Sequence, residues 1–361
     1  MGLRDIFRKR EQLVGIDIGA TGIKLVELDL RGAMPRLVNV AMAPLSGDLF
    51  SNYAITRLDR VGEQLTQLLA AQGVSDRRVV TAVPGPSVFT KKIAVPRLKP
   101  AELAAHVQLE AGNFVPHKID AVKLDYQVLG PRGKQELEVL VAAVKNEIIE
   151  SYVDALGLAG LEAAVVDVDA FALQNVFELG YPEYRERTVA LVNVGARYSC
   201  ISICAQGRSL LIGDIPAAGR SITEALAAGL GVTFDVAEDL KRQRGGASPA
   251  ATYGEVCARA VESVAAELNR QLTFLWSASG TGQPIDAVFI TGGGADVPGF
   301  IESVTKKTGL PCAPLDPVRG IDVSSGCDPA IVGGLQSRIA IAVGLALREP
   351  GDRSVEYGVA A

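Results

Sequence analysis

Along Leu13–Leu28 the apolar residues alternate as Val14, Ile16 and Ile18, break at a glycine-rich turn, and resume at Ile23, Leu25 and Val26. A two-residue period marks a strand with one buried face, so the segment reads as strand, turn, strand. Pro35–Met42 predicts a third strand. Ile55–Gln72 then shifts to helical spacing through Leu58, Val61, Leu65 and Leu68–Leu69, with Gly73 as its stop. Arg78–Val83 is a short, nearly continuous apolar run, expected of a buried strand, and Pro84-Gly85-Pro86 closes it.

A segment of different rhythm follows. Val88–Val95 alternates as a strand. Pro100–Val115 predicts an amphipathic helix with Leu103, Val107, Leu109 and Phe114 on its apolar side. Lys123–Leu129 and Glu136–Val144 read as strands about a turn, Glu147–Leu156 as a helix and Leu161–Val168 as a strand. The order β-α-β-β-α-β predicts a compact inserted subdomain. A helix over Asp169–Leu179 comes next.

The opening pattern then returns. Thr188–Val194 is a strand, Gly195–Tyr198 a turn and Ser199–Ile203 a second strand, with a third over Leu210–Pro216. Helices are expected over Ser221–Leu230, Val236–Gly245 and Glu255–Ser277, with a loop at Ala247–Thr252. Pro284–Thr291 reads as a strand ending in three glycines, and Phe300–Gly309 as a helix. Asp328–Arg348 holds a last buried helix. Two similar strand–turn–strand units opening two parts of similar length predict two related α/β halves with a cleft between them.

The boundaries expected are a basic tail at 1–11, a first half at 12–83 and 162–186, an insert at 84–161, a second half at 187–348 with a smaller helical and loop subdomain at about 221–283, and a polar tail at 349–361.

The chain length of 361 residues suits two substantial cores. Aromatics make up only 5% of it, so those cores rest on Ala, Val, Leu and Ile. Net charge is 36 − 41 = −5 with no long basic run, which disfavours nucleic acid. The five cysteines are scattered and odd in number, as expected in a reducing compartment. Only two histidines occur, His106 and His117, so a zinc site lacks ligands. No apolar run has the ~18 residues of a membrane span, and no signal peptide is evident at the start. In Met1–Arg10, Leu3, Ile6 and Phe7 lie at helical spacing among basic residues. That segment reads as a frayed tail or as a weak contact with an anionic membrane face or acidic partner.

The turns carry the candidate chemistry. In Asp17–Lys24, Gly19 and Gly22 let the backbone bend, and amides such as that of Ala20 then point where phosphate oxygens fit. Thr21 adds a hydroxyl and Lys24 a positive charge. Asp17 ends a buried strand, where a carboxylate needs a partner; magnesium held through water would supply one, while an ordinary solvent-facing hairpin is the bland alternative. Asn193–Ser199 repeats the small-residue turn at Gly195 and Ala196, but Asn193 stands where the first turn has Asp17, and Arg197 faces phosphate or solvent. Gly292, Gly293 and Gly294, followed by Ala295, expose backbone to a flat ligand or simply connect a strand to a helix. Glu238 and Lys241 share a helix face, which suits a ribose or an ion pair. No phosphate loop of the Walker type is present, no G-x-G-x-x-G follows the first strand, and neither histidine accompanies a nucleophile elbow.

These pieces in this order resemble the actin-like ATPase superfamily, which includes actin, hexokinase and FtsA. The resemblance implies a two-domain fold of duplicated ribonuclease-H-like halves. Asp17–Lys24 and Asn193–Ser199 look like its two phosphate loops, Gly292–Ala295 like its adenosine loop, and Glu238 with Lys241 like its ribose and adenine pair. Asp169–Leu173 and Ala342–Leu347 resemble its two connecting helices, and Asp169 falls where the superfamily orients an attacking water. ATP and Mg2+ are the implied cofactors.

Within the superfamily the chain is similar to the PilM family of type IV pilus assembly. The similarity is carried by Leu13–Leu28 and by Val95–Leu129, with Pro96-Arg97-Leu98-Lys99-Pro100-Ala101-Glu102-Leu103, Glu110-Ala111, Val115-Pro116 and Lys123–Leu129, which look like that family's FtsA-type α+β insert. Gly219–Thr223 and Ala237–Lys241 look like its second-half signatures. The family implies a cytoplasmic scaffold, peripheral at the inner membrane, that holds the N-terminal cytoplasmic peptide of a PilN-type membrane protein. It links that platform to the pilus motor ATPases and admits self-association. The departure at Asn193 implies nucleotide binding more securely than hydrolysis, so at most a weak ATPase is expected. The alternatives are an FtsA-like cell-division ATPase, against which Glu349–Ala361 offers no amphipathic helix, and a small-molecule kinase, for which no substrate-facing carboxylate stands out.

Overall fold

The computed structural model describes residues 13–243, 250–279, 284–324 and 326–349. The basic segment Met1–Arg10 and the tail from 350 onward lie outside the described residues. The first half begins with β1 (Val14–Gly19), β2 (Gly22–Asp29), β3 (Arg36–Pro44), a short hairpin of β4 (Phe50–Ser51) and β5 (Ala54–Ile55), α1 (Leu58–Gln72) and β6 (Arg78–Val83). An insert follows with β7 (Val88–Pro96), α2 (Pro100–Ala111), β8 (Val122–Arg132) and β9 (Glu136–Lys145). The chain then returns through α3 (Asn146–Leu158), β10 (Glu162–Val168) and α4 (Asp169–Gly180).

The second half contains β11 (Thr188–Val194), β12 (Ser199–Ala205), β13 (Arg208–Ile215), α5 (Gly219–Leu230), α6 (Phe234–Arg242), α7 (Ala250–Ser279), β14 (Ala287–Thr291), α8 (Phe300–Thr308), β15 (Cys312–Pro314), α9 (Pro329–Leu335) and α10 (Ala340–Ala346). Among the described residues α7 already starts at Ala250, inside the stretch expected to be a loop.

The duplication is visible in the sheets. One has the order β10-β6-β1-β2-β3 and the other β13-β12-β11-β14-β15. In each, the three leading strands form an antiparallel meander, and two later strands add in parallel beside the first. Parallel strands are covered on both faces, which explains why β14 is buried at all five positions.

Between the halves run α4 and α10, packed on each other and on β1 and β6. Their contact is so close that a Cβ on Gly344 would collide with the Ala172 carbonyl, so only glycine fits there. One apolar core continues from Leu28 and Val80 through Leu173 and Phe177 of α4 to Leu191 and Phe289, with α10 inside it. The two halves therefore share one core about these two helices. The apolar run at 339–347 is this buried helix. Among the described residues no single helix is long and apolar enough to cross a membrane, and the pair ending in α10 is bent by 100°.

Two expectations change. The β-α-β-β-α-β reading splits: the insert's own sheet is β7-β9-β8 with α2, while β10 pairs in parallel with β6 in the first-half sheet. Helix α3 likewise buries Ile148, Tyr152 and Leu156 in the first-half core beside α1. Leu109 is not on the apolar side of α2 but 72% exposed, because the insert core takes only Leu103 and Val107, with Ala111 in a second small cluster. Phe114 lies past the helix end against Phe89 and under the Lys91 ammonium, 4.5 Å from the ring centroid.

Candidate functional site

A cleft of about 690 Å3 opens between the halves, and all three glycine-rich turns line it. Asp17, Gly19, Ala20, Thr21 and Lys24 come from the β1–β2 hairpin, and Asn193, Gly195, Ala196 and Arg197 from the β11–β12 hairpin. Gly292, Gly293, Gly294 and Ala295 form the third wall at the end of β14, and Glu238 with Lys241 the edge on α6. Asp169 stands at the base, at the first turn of α4. Gly22 does not reach the cleft. It pairs with Gly19 across the turn and faces β3, where Met42 and Ala43 crowd it.

The position of each wall follows from strand order. β1 and β11 are the central strands of their sheets, and both hairpins turn at the ends facing the cleft. Gly292 takes φ +96°, and a Cβ there would meet the Asn193 amide and the Val194 backbone. Glycine lets the third turn lie directly on the second.

Asp17 and Lys24 are cross-strand partners in the hairpin. Lys24 Nζ is 2.9 Å from Asp17 Oδ2, with both side chains largely buried. The buried-carboxylate problem posed by the sequence thus has an internal answer in Lys24. The pair still presents one carboxylate and one ammonium beside the glycine bend.

The Glu238–Lys241 pair is part of a denser network. Lys241 Nζ donates to Glu238 Oε2 at 2.6 Å, to Thr223 Oγ1 at 2.7 Å and to the Gly219 carbonyl at 3.0 Å. Arg242 Nε donates to Glu238 Oε1 at 3.2 Å. Burial pushes the Lys241 ammonium below its usual pKa, and Glu238 offsets this only in part. Burial would raise Glu238, but the bonds from Lys241 and Thr223 hold it below the usual range. The pair clamps α6 to the start of α5, and every ammonium hydrogen is used.

Asp169 is 6% exposed and caged. Its Oδ1 accepts the Gly85 N–H at 2.9 Å and its Oδ2 accepts the Tyr198 hydroxyl at 2.9 Å. Burial nevertheless pushes its carboxyl up to about 7, and nearby Asp214 adds to the rise. Burial takes Asp214 to about 7 as well, and its Oδ1 is buried without a hydrogen bond. The Tyr198 phenol is pushed well up, first by burial and then by Asp169.

Several cleft residues carried no motif in the sequence: Asp316, Gln336, Ser337, Arg338 and Arg242, while Asp296 ends the third glycine turn without a role of its own there. Gln336 Nε2 donates to Asp316 Oδ1 at 2.8 Å, and Ser337 Oγ to Asp296 Oδ2 at 2.8 Å. Arg338 Nε is buried with no hydrogen bond, 3.5 Å from Asp296 Oδ2 and close against Gly293. The Arg338 guanidinium, ion-paired to Asp296 and lying against Gly293, adds a planar cation to the glycine wall, a group on which a flat ligand can stack. Polar anchors of this kind, spread over loops, leave no local sequence signal.

Among the described residues, no group of three or more His, Cys, Asp or Glu side chains could hold a metal by itself. The donor set facing the hairpins is one carboxylate, hydroxyls, amides and cations, the set that suits a phosphate chain.

The family model described as "Type IV pilus assembly protein PilM" matches residues 15–350. Among solved structures, the PilM–PilN type IV pilus biogenesis complex superposes with a TM-score of 0.82 at 26% identity, covering 94% of this chain and 98% of that one. Ethanolamine utilization protein EutJ from Carboxydothermus hydrogenoformans gives a TM-score of 0.58 at 16% identity, covering 93% of this chain and 89% of that one. MreB5 of Spiroplasma citri bound to ADP gives 0.50 at 10%, covering 92% and 94%. These two likenesses speak for the actin-like fold alone. Cell division protein FtsA of Staphylococcus epidermidis is 22% identical over 257 residues, 64% of this chain and 54% of that protein. The chain thus spans about half the length of the curated relatives it matches.

Proposed function

We propose a function that starts from family membership: the chain belongs to the PilM family of type IV pilus assembly proteins. It is a nucleotide-dependent scaffold of the pilus assembly platform. It binds ATP in the cleft and the cytoplasmic N-terminal peptide of a PilN-type inner-membrane protein elsewhere on its surface. Through that partner it is peripheral at the inner membrane on the cytoplasmic side, and it couples the platform to the pilus motor ATPases.

The observation that carries the nucleotide reading is the meeting of three glycine turns, from both halves, on one cleft. The amides of Gly19–Thr21 and of Gly195–Arg197 receive phosphate oxygens from opposite sides. Gly292–Ala295 and Arg338 receive the base, and Lys241 with Glu238 sits at the ribose edge. Because each half supplies part of the site, a ligand held by both favours closure. Asp17 would hold magnesium through water, in the usual mode of one or two protein carboxylates beside phosphate, and the ion would supply neutralisation of the phosphate charge. Asn193 offers no charge on the opposite side, and Asp169 is already bonded twice, so the site holds ATP better than it splits it.

The partner reading rests on the similarity to a complex that contains PilN. Titrating the full chain with a PilN-type N-terminal peptide, with and without ATP and magnesium, tests it. Micromolar binding that shifts with nucleotide is expected; no binding in either condition removes the pilus reading. The FtsA match supports a second reading, a cytoskeletal ATPase, which ATP-dependent filaments without peptide binding would favour.

A further inference from the structure

The short β4–β5 hairpin reaches from the first half to the second phosphate hairpin by a strained turn. Asn52 and Tyr53 sit consecutively at φ +47° and +70°. Such a turn favours Asn followed by Gly, and a bulky aromatic at the second position is an outlier. Strain of this kind persists only where surrounding contacts impose it.

Those contacts are specific. The Tyr53 ring stands edge-on to Tyr198, with centroids 6.2 Å apart and planes at 82°. Arg197 Nη1 donates to the Phe50 carbonyl at 3.2 Å and lies 4.0 Å from Asp48 Oδ1. Both grips land on consecutive residues of the β11–β12 turn, and both residues line the cleft. Tyr198 passes the contact on to Asp169 through its hydroxyl. At its root the hairpin belongs to the first half: Phe50 and Ile55 are buried there, and the Ile55 N–H donates to Ser151 Oγ of α3 at 3.0 Å.

We propose that this hairpin distinguishes a nucleoside triphosphate from a diphosphate, with Arg197 and Tyr53 as its two grips on the second half. The proposal rests on the nucleotide reading above. Arg197 is held by one neutral carbonyl and a distant, exposed carboxylate. A terminal phosphate is a stronger, charge-assisted acceptor for a guanidinium. A triphosphate between the two hairpins therefore draws Arg197 off Phe50, while a diphosphate ends short of it. The hairpin is then left with the Tyr53 grip alone, and its strained turn loosens. Because Ser151 lies on α3, the helix that follows the insert directly, the change is felt where the first half meets the insert.

Hydrogen exchange of the peptide covering residues 48–56 in the full chain tests this, with ADP or a non-hydrolysable ATP analogue at saturating, measured occupancy. The expected result is several-fold faster exchange of the hairpin with the triphosphate than with the diphosphate. Equal rates with both ligands bound overturn the proposal and leave the nucleotide reading intact. Failure of the wild type to bind either nucleotide overturns both. Tyr53→Gly suits the positive φ, so the fold is kept. That variant should retain ADP affinity and, with ADP bound, exchange several-fold faster than the wild type, because Arg197 is then the hairpin's remaining grip; ADP-bound rates equal to those of the wild type overturn the role given to Tyr53.

Discussion

Lys24 Nζ lies 2.9 Å from Asp17 Oδ2, directly across the first two strands of the cleft. The carboxylate is thus neutralised by its own hairpin, and any cation that uses Asp17 must share it with Lys24. Asp17→Ala removes the metal-side oxygen but frees a buried ammonium for phosphate. The two effects oppose each other and differ in their need for magnesium. Binding of ATP with magnesium should weaken by at least about tenfold, on the order of 1.4 kcal/mol. Binding of ATP in excess EDTA should change little or tighten. Calorimetric titration under both conditions checks this, and unchanged affinity with magnesium removes the phosphate role of the hairpin.

The Glu238–Lys241 network predicts a separation of stability from binding. Lys241→Met leaves Glu238 partly buried with only Arg242 and Thr223 as partners. The expected cost is roughly 2–3 kcal/mol, below that of a fully buried pair because Glu238 keeps some solvent. Changing both residues, Glu238→Gln with Lys241→Met, removes the uncompensated charge and should recover most of the lost melting temperature. ATP affinity should stay low in both variants if this edge contacts the ribose. Full recovery of affinity in the double variant would make the network structural only.

How much of this was legible follows from distance along the chain. The β1–β2 hairpin was readable because alternation, glycine turn and resumed alternation lie within one short window, and its copy at β11–β12 was found by the same pattern. The fate of β10 was not readable: a strand after a helix has the same sequence whether it closes a local sheet or returns to β6. β15, Cys312–Pro314, is too short to show any period. Leu109 keeps a helical spacing that the narrow insert core does not use. The cage around Asp169 joins Gly85, Tyr198 and Asp214, which only the fold brings together.

That cage carries a pH dependence. The Asp169 carboxyl moves from an ordinary 3.8 to about 7 on folding. Between these values the folded chain holds a proton that the unfolded chain has lost. Stability is therefore fully present below about 4 and falls as pH rises toward 7, by up to about 1.4 kcal/mol per pH unit for one such group. Asp214 acts in the same direction. Asp169→Asn cannot ionise and still offers an oxygen to the Gly85 N–H. Melting temperatures at pH 5 and pH 8 should differ clearly less in this variant than in the wild type. An unchanged difference would mean that Asp169 is not the titrating group.

If Asp169 orients a water, Tyr198 limits hydrolysis in the cleft. Its hydroxyl occupies Asp169 Oδ2, while the Gly85 amide occupies Oδ1. A carboxylate so engaged is poorly disposed to orient a water, and Asn193 adds no charge to compensate. Wild-type turnover should therefore fall well below the roughly 10 per second typical of enzymes. Tyr198→Phe keeps the ring against Tyr53 and releases Oδ2. If Asp169 has the water-orienting role, turnover should rise several-fold in Tyr198→Phe while ATP affinity holds, and Asp169→Ala should abolish the increase in the double variant. Single-turnover measurements separate this from faster product release. Equal rates in the wild type, in Tyr198→Phe and in the double variant would assign Asp169 to the hinge between the halves, with no part in the chemistry.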